Sequence, residues 1–135
     1  MNKTFEIVPL ENVGGISFGM SRADVRKLLG EPLSEFRKTR RSVNTTDNYG
    51  EFHVFYDAAN TCEAVELFGG SAASSNGQCL FPATKTAFVE WMRSVDPGCE
   101  ITEYDALSER MSIAASFESG KVACVLFAMK GYYTR

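Results

Sequence analysis

Two stretches of the chain repeat apolar residues at helical spacing, and much of the remainder alternates. Between Met20 and Pro32, Val25, Leu28 and Leu29 fall on one stripe. Arg22, Arg26 and Lys27 are expected on the solvent side. Ser21 has the chemistry of an N-cap, and Asp24 follows as the third-position carboxylate. Met20 and Val25 have the spacing of a hydrophobic staple, and Gly30 with Pro32 ends the pattern. A helix this short, below roughly 12 residues, does not hold alone in water. Its stripe must dock, and a β-sheet is the expected platform. A second helix is expected over Thr84–Val95, where Phe88, Trp91, Met92 and Val95 line one face and Asp96-Pro97-Gly98 stops it.

The alternating segments read as strands. Lys3–Leu10 is the first, with Pro9 marking an edge or a strand end. Gly14-Gly15 turns the chain into a short extended piece, Ile16–Phe18. Leu33–Ser42 is a weak strand with Phe36 inward and Arg37, Lys38, Arg40 and Arg41 on a solvated edge. Residues 43–48 (VNTTDN) read as a polar loop. Tyr49–Asp57 and Cys62–Phe68 form the clearest hairpin. Gly69–Gly77 reads as a flexible small-residue loop, Gln78–Phe81 as a short strand, and Glu100–Ala106 as extended. Arg110–Phe117 and Lys121–Met129 form a second hairpin, and residues 130–135 a tail that frays.

The two hairpins look alike. Ala64-Val65-Glu66-Leu67-Phe68 aligns with Ala123-Cys124-Val125-Leu126-Phe127, and the same offset pairs Phe52 with Met111 and Val54 with Ile113. Each half then reads helix, extended segment, hairpin. The expected fold is α+β: one antiparallel sheet with two short helices on one face. The expected organisation is a single domain over residues 1–135, with pseudo-halves of about 1–70 and 78–135. Because side chains alternate along a strand, Phe52, Val54, Val65, Leu67, Met111, Ile113, Cys124 and Leu126 should face the helices. The opposite face should carry Glu51, His53, Phe55, Glu66, Phe68, Ser112, Ala114, Val125 and Phe127. A side mixing aromatics with acids is suited to binding another protein.

Composition narrows the function classes. The fractions of apolar (44%) and charged (23%) residues are those of a globular domain, and no apolar run nears the ~20 residues of a membrane span. The N-terminus shows no charged-then-apolar signal region, so the expected compartment is the cytoplasm. The net charge of −3 disfavours nucleic acid as the main partner and favours a basic protein. One histidine and four widely spaced cysteines without a C-x-x-C pair point away from a zinc site. The cysteines are expected as free thiols. Gly14-Gly15 lacks the spacing and lysine of a phosphate loop. His53, with Glu51 and Glu66 in reach, has the parts of a catalytic pair but reads better as a surface pair. No enzyme and no cofactor are expected.

The helix corner from Gly19-Met20-Ser21 to Leu28-Leu29-Gly30-Glu31-Pro32 resembles that of the BamE-type (SmpA/OmlA) outer-membrane lipoprotein domain. The tandem halves are similar to the β-lactamase inhibitor protein fold. The Phe18-Gly19-Met20-Ser21 entry and the Tyr56-Asp57 strand end also resemble bacterial immunity proteins of secreted or contact-delivered toxins. That last resemblance implies a stoichiometric inhibitor whose partner is a cognate toxin, such as a basic nuclease domain. The expected partner-binding residues are Tyr49, Glu51, His53, Phe55, Asp57, Glu66, Phe68 and Phe127, with acids such as Asp47 and Glu63 steering association. The alternative is an envelope or scaffold interaction module.

Overall fold

The computed structural model describes residues 4–134. The chain begins with β1 (Thr4–Val8), β2 (Asn12–Val13) and β3 (Ile16–Ser17) and enters α1 (Arg22–Leu29). β4 (Ser34–Phe36), β5 (Thr46–Asn48), β6 (Phe52–Tyr56) and β7 (Cys62–Leu67) follow, then β8 (Ala72–Ser75), β9 (Gln78–Phe81) and α2 (Lys85–Val95). β10 (Glu100–Ile101), β11 (Asp105–Ser108), β12 (Ile113–Glu118) and β13 (Lys121–Ala128) complete it.

These strands make two sheets. One has five strands in the order β3-β2-β1-β8-β9, with β1 and β8 parallel; the other has eight in the order β10-β11-β12-β13-β7-β6-β5-β4. Strand accounts for 44% of the structure and helix for 15%, so the expected α+β class is wrong: the chain is mostly β. The inward side of the large sheet meets the small sheet as well as the helices. Phe5 and Ile7 of β1 and Leu80 of β9 share one core with Val54, Leu67, Val125, Phe127, Val25 and Phe88. Phe5 meets Phe52 edge to face at 5.1 Å between ring centres.

The excess of strand has a physical cause. Thr46–Asn48 and Ala72–Ser75 are strands, yet their small and polar side chains carry no apolar signal. Backbone pairing holds them instead. β8 lies between β1 and β9, and Ala73 and Ser75 are buried there. β1 is likewise central in its sheet, ending at Val8 before Pro9; the expected start at Lys3 lies outside the described residues. The Gly14-Gly15 turn passes close to the core. At Gly14 (φ +55°) an added Cβ would stand 2.4 Å from a ring carbon of Phe5. At Gly120 (φ +75°) it would meet nothing within 4 Å. Gly14→Ala should therefore cost about 2–4 kcal/mol, strain plus a forced shift of Phe5, and Gly120→Ala only the ~1–2 kcal/mol of backbone strain. Urea titration of the two variants checks the order.

The large sheet is built from two alike units, each a helix followed by four strands. Both helices start on an N-cap hydroxyl, Ser21 accepting from the Asp24 amide and Thr84 from the Ala87 amide, each at 3.1 Å. Both caps bridge to the end of their own hairpin turn, Ser21 to Thr61 and Thr84 to Lys121. The next amides repeat the pattern: Arg22 donates to the Asn60 carbonyl and Lys85 to that of Gly120. The Arg22 guanidinium sits over the Tyr56 ring at 4.1 Å, and the Lys85 ammonium over Phe117 at 5.2 Å. The units join through their last strands. Val125 pairs with Leu67 and Phe127 with Val65, so a pseudo-two-fold passes through the Leu126–Glu66 pair.

Candidate protein-binding face

Register decides which side chains reach the outer side of the large sheet. On the inner side Val54 pairs with Val65, Val65 with Phe127 and Phe127 with Ile113. On the outer side His53 pairs with Glu66, Glu66 with Leu126 and Leu126 with Ala114. Leu107 and Glu100 continue that outer row to one sheet edge, and Asn48 and Ser34 to the other.

Four of the expected contact residues come together on this outer side: His53, Phe55, Glu66 and Phe68. The His53 ring lies edge-on to Phe68, Phe36 and Phe55 at 4.6, 4.9 and 6.3 Å. Phe36, expected inward, stands here at 37% exposure. Cys124, beside Ser116 at 2.9 Å, also belongs to this face.

The other expected residues lie elsewhere. Phe127 is 1% exposed and belongs to the core. Tyr49 stacks in parallel on Phe52 at 5.0 Å, and its hydroxyl donates to the Gly30 carbonyl at the end of α1. Asp57 closes the hairpin turn, accepting from the Ala59 and Thr61 amides at 3.0 Å and from the Thr61 hydroxyl. Glu51 precedes β6 and packs so close to Gly70 that a Cβ there would stand 2.8 Å from its carboxylate. Asp47 and Glu63, expected to steer a partner, are buried.

The reversal in the second hairpin comes from turn length. β6 and β7 close between Tyr56 and Cys62, whereas β12 and β13 close between Glu118 and Lys121. One strand of each hairpin also carries a register shift near its turn. A slip of one residue moves every side chain to the other face. Val125 and Phe127 thus point in, with Cys124 and Leu126 out. Val125 and Ser112, assigned outward from the sequence, are fully buried.

The face is partly roofed by the chain itself. The tail, expected to fray, packs Tyr132 and Tyr133 onto Phe55, Ala64, Leu126 and Ala128. Lys38 straps it down, with its ammonium 4.9 Å from the centre of the Phe55 ring and in contact with the Tyr132 hydroxyl. What stays open is a band from Phe36, His53 and Phe68 across Glu66 to Ala114 and Leu107.

Burial shapes the charges on that band. It lowers the pKa of His53, keeping the imidazole neutral near pH 7. The sign follows: as pH falls through about 6.5 the unfolded chain takes up the proton first, and the native state loses stability. Burial raises the pKa of Glu66, against the pull of Lys38 and the bond to Cys124.

On the inner side a charged cluster fixes α1. Arg26 grips Asp47 with two nitrogens, at 3.0 and 2.6 Å, while Arg22 reaches the same carboxylate at 3.1 Å and Tyr56 donates to it at 2.8 Å. The hydrogen bonds to Asp47 raise the pKa of Arg26 further. Arg22 and Arg26 thus lie inward, contrary to the expected solvent side, while Leu28 is 53% exposed.

Within the described residues no helix is long and apolar enough to cross a membrane. The chain matches no protein-family model, no curated protein and no solved structure.

Proposed function

We propose that this chain is a stoichiometric inhibitor of the immunity type, docking a toxin domain against the open outer band of its large sheet. One observation carries the reading. Phe36, His53 and Phe68 form a partly exposed aromatic row on a rigid eight-stranded platform, beside a half-buried carboxylate. Aromatic anchors on a preorganised scaffold are what a tight protein interface uses. The resemblance of the Phe18-Gly19-Met20-Ser21 entry and the Tyr56-Asp57 strand end to immunity proteins agrees with it.

The test is co-expression with the product of the adjacent gene. The expected result is a one-to-one complex and rescue of growth. Phe36→Ala with Phe68→Ala should weaken the complex at least about 100-fold, as loss of two anchors does, while leaving the melting temperature nearly unchanged. Phe55 is a poor probe because it lies beneath the tail. A complex indifferent to both substitutions would overturn the reading.

A further inference from the structure

We propose that the half of the outer face built from β10–β13 receives a basic side chain of the partner, arginine above all, in the hollow between Glu66 and Asp105. This rests on the docking reading above and names the chemistry of its second contact.

The hollow exists because the two units differ where the pseudo-two-fold relates them. His53 and Phe55 fill the first unit, while their counterparts in the second are Ala114 and Ser116. Loss of two rings leaves a depression of about 190 Å³. Ala114, Leu126 and Tyr133 line it together with Glu66 and Asp105.

Charge selects the occupant. On the four strands of this unit the only cation is Lys121, at the turn beside Glu118, and Lys38, held over Phe55 and against Tyr132, attracts Glu66 from the first unit's side. Glu100, Asp105 and Glu66 lie on the outer side, placing a carboxylate-rich surface next to the neutral aromatic row. Glu66 is held where water solvates it poorly, which favours an incoming cation. A guanidinium suits the site better than an ammonium. Its flat, weakly hydrated group can lie against Tyr133 and Leu126 while its N–H fork reaches a carboxylate. The partner's aromatic contact and its cation would then sit on opposite sides of the pseudo-two-fold, fixing its orientation.

The test is a methyl NMR titration of the whole chain with N-acetyl-arginine amide, and with the uncharged N-acetyl-citrulline amide as control. The expected result is a weak but saturable shift of the Ala114 and Leu126 methyl signals with arginine alone. Glu66→Gln with Asp105→Asn should weaken it at least about tenfold, with the core Val125 signal unmoved. An equal response to citrulline, an unchanged response in the double variant, or shifts scattered over all surface acids would overturn the proposal. If arginine fails here but Phe36→Ala with Phe68→Ala still breaks the co-expressed complex, only the hollow is refuted. If no complex forms at all, the docking reading falls, and the titration still decides the hollow.

Discussion

Asp47→Ala is expected to cost about 3–5 kcal/mol of folding stability, the usual consequence of removing one partner from a buried charged group. The Asp47 side chain is fully buried, and it takes hydrogen bonds from Arg22, Arg26 and Tyr56. Without it the Tyr56 phenol loses its carboxylate acceptor and Arg26 its closest one, while Arg22 keeps Asn60 and Thr45. Arg22 and Arg26 have another carboxylate nearby, the half-exposed Glu35, and Arg26 also reaches the exposed Glu31 at 3.6 Å. Asp47→Asn keeps the shape and loses the charge, and should fall between wild type and Ala. Urea unfolding at pH 7 measures both. A loss below about 1 kcal/mol for Asp47→Ala would mean that α1 is held by the burial of Val25 and not by this cluster.

Phe127→Ala should cost a similar amount, about 3–5 kcal/mol, because it opens a cavity between the two sheets. Its neighbour Leu126 is the control. Leu126 lies on the outer side, in a small cluster covered by the tail, and Leu126→Ala should cost nearer 2 kcal/mol. The reverse order would mean that the second hairpin is turned over and that Phe127 belongs to the binding face after all.

These two residues also show where the sequence could be read. Ser21, Gly30 and Thr84 mark the helix ends because capping is a local matter of one side chain and a few amides. The Tyr49–Asp57 and Cys62–Phe68 hairpin is legible because alternation is strong there. Asp47 lies in a polar stretch that looks like a loop. Its burial depends on Arg22 and Arg26, more than twenty residues earlier, and no local pattern reports such a pairing. Ala72–Ser75 fails for a related reason, since its partners β1 and β9 supply the backbone pairing and its side chains only need to be small.

Half of the expected contact residues, His53, Phe55, Glu66 and Phe68, share the outer face because they lie on one hairpin that keeps its register from the Phe52–Leu67 pair to the Phe55–Ala64 pair. Phe127 turns to the core instead because the two hairpins have turns of different length, so one alternation does not carry across both. Phe36 points outward, against expectation, because a three-residue edge strand has too few positions to define a face. The bound tail was invisible, since Tyr132 and Tyr133 follow no period and find their place only against Phe55 and Leu126.

The most direct test of the docking face is methyl cross-saturation in the complex with the adjacent-gene protein, with only this chain labelled. Saturating the partner should attenuate the Leu107 and Ala114 methyl signals and spare those of Leu67, Ile113 and Val125. Attenuation of neither group, or of signals from the five-stranded sheet instead, would place the partner elsewhere and contradict a binding role for the outer side of the large sheet.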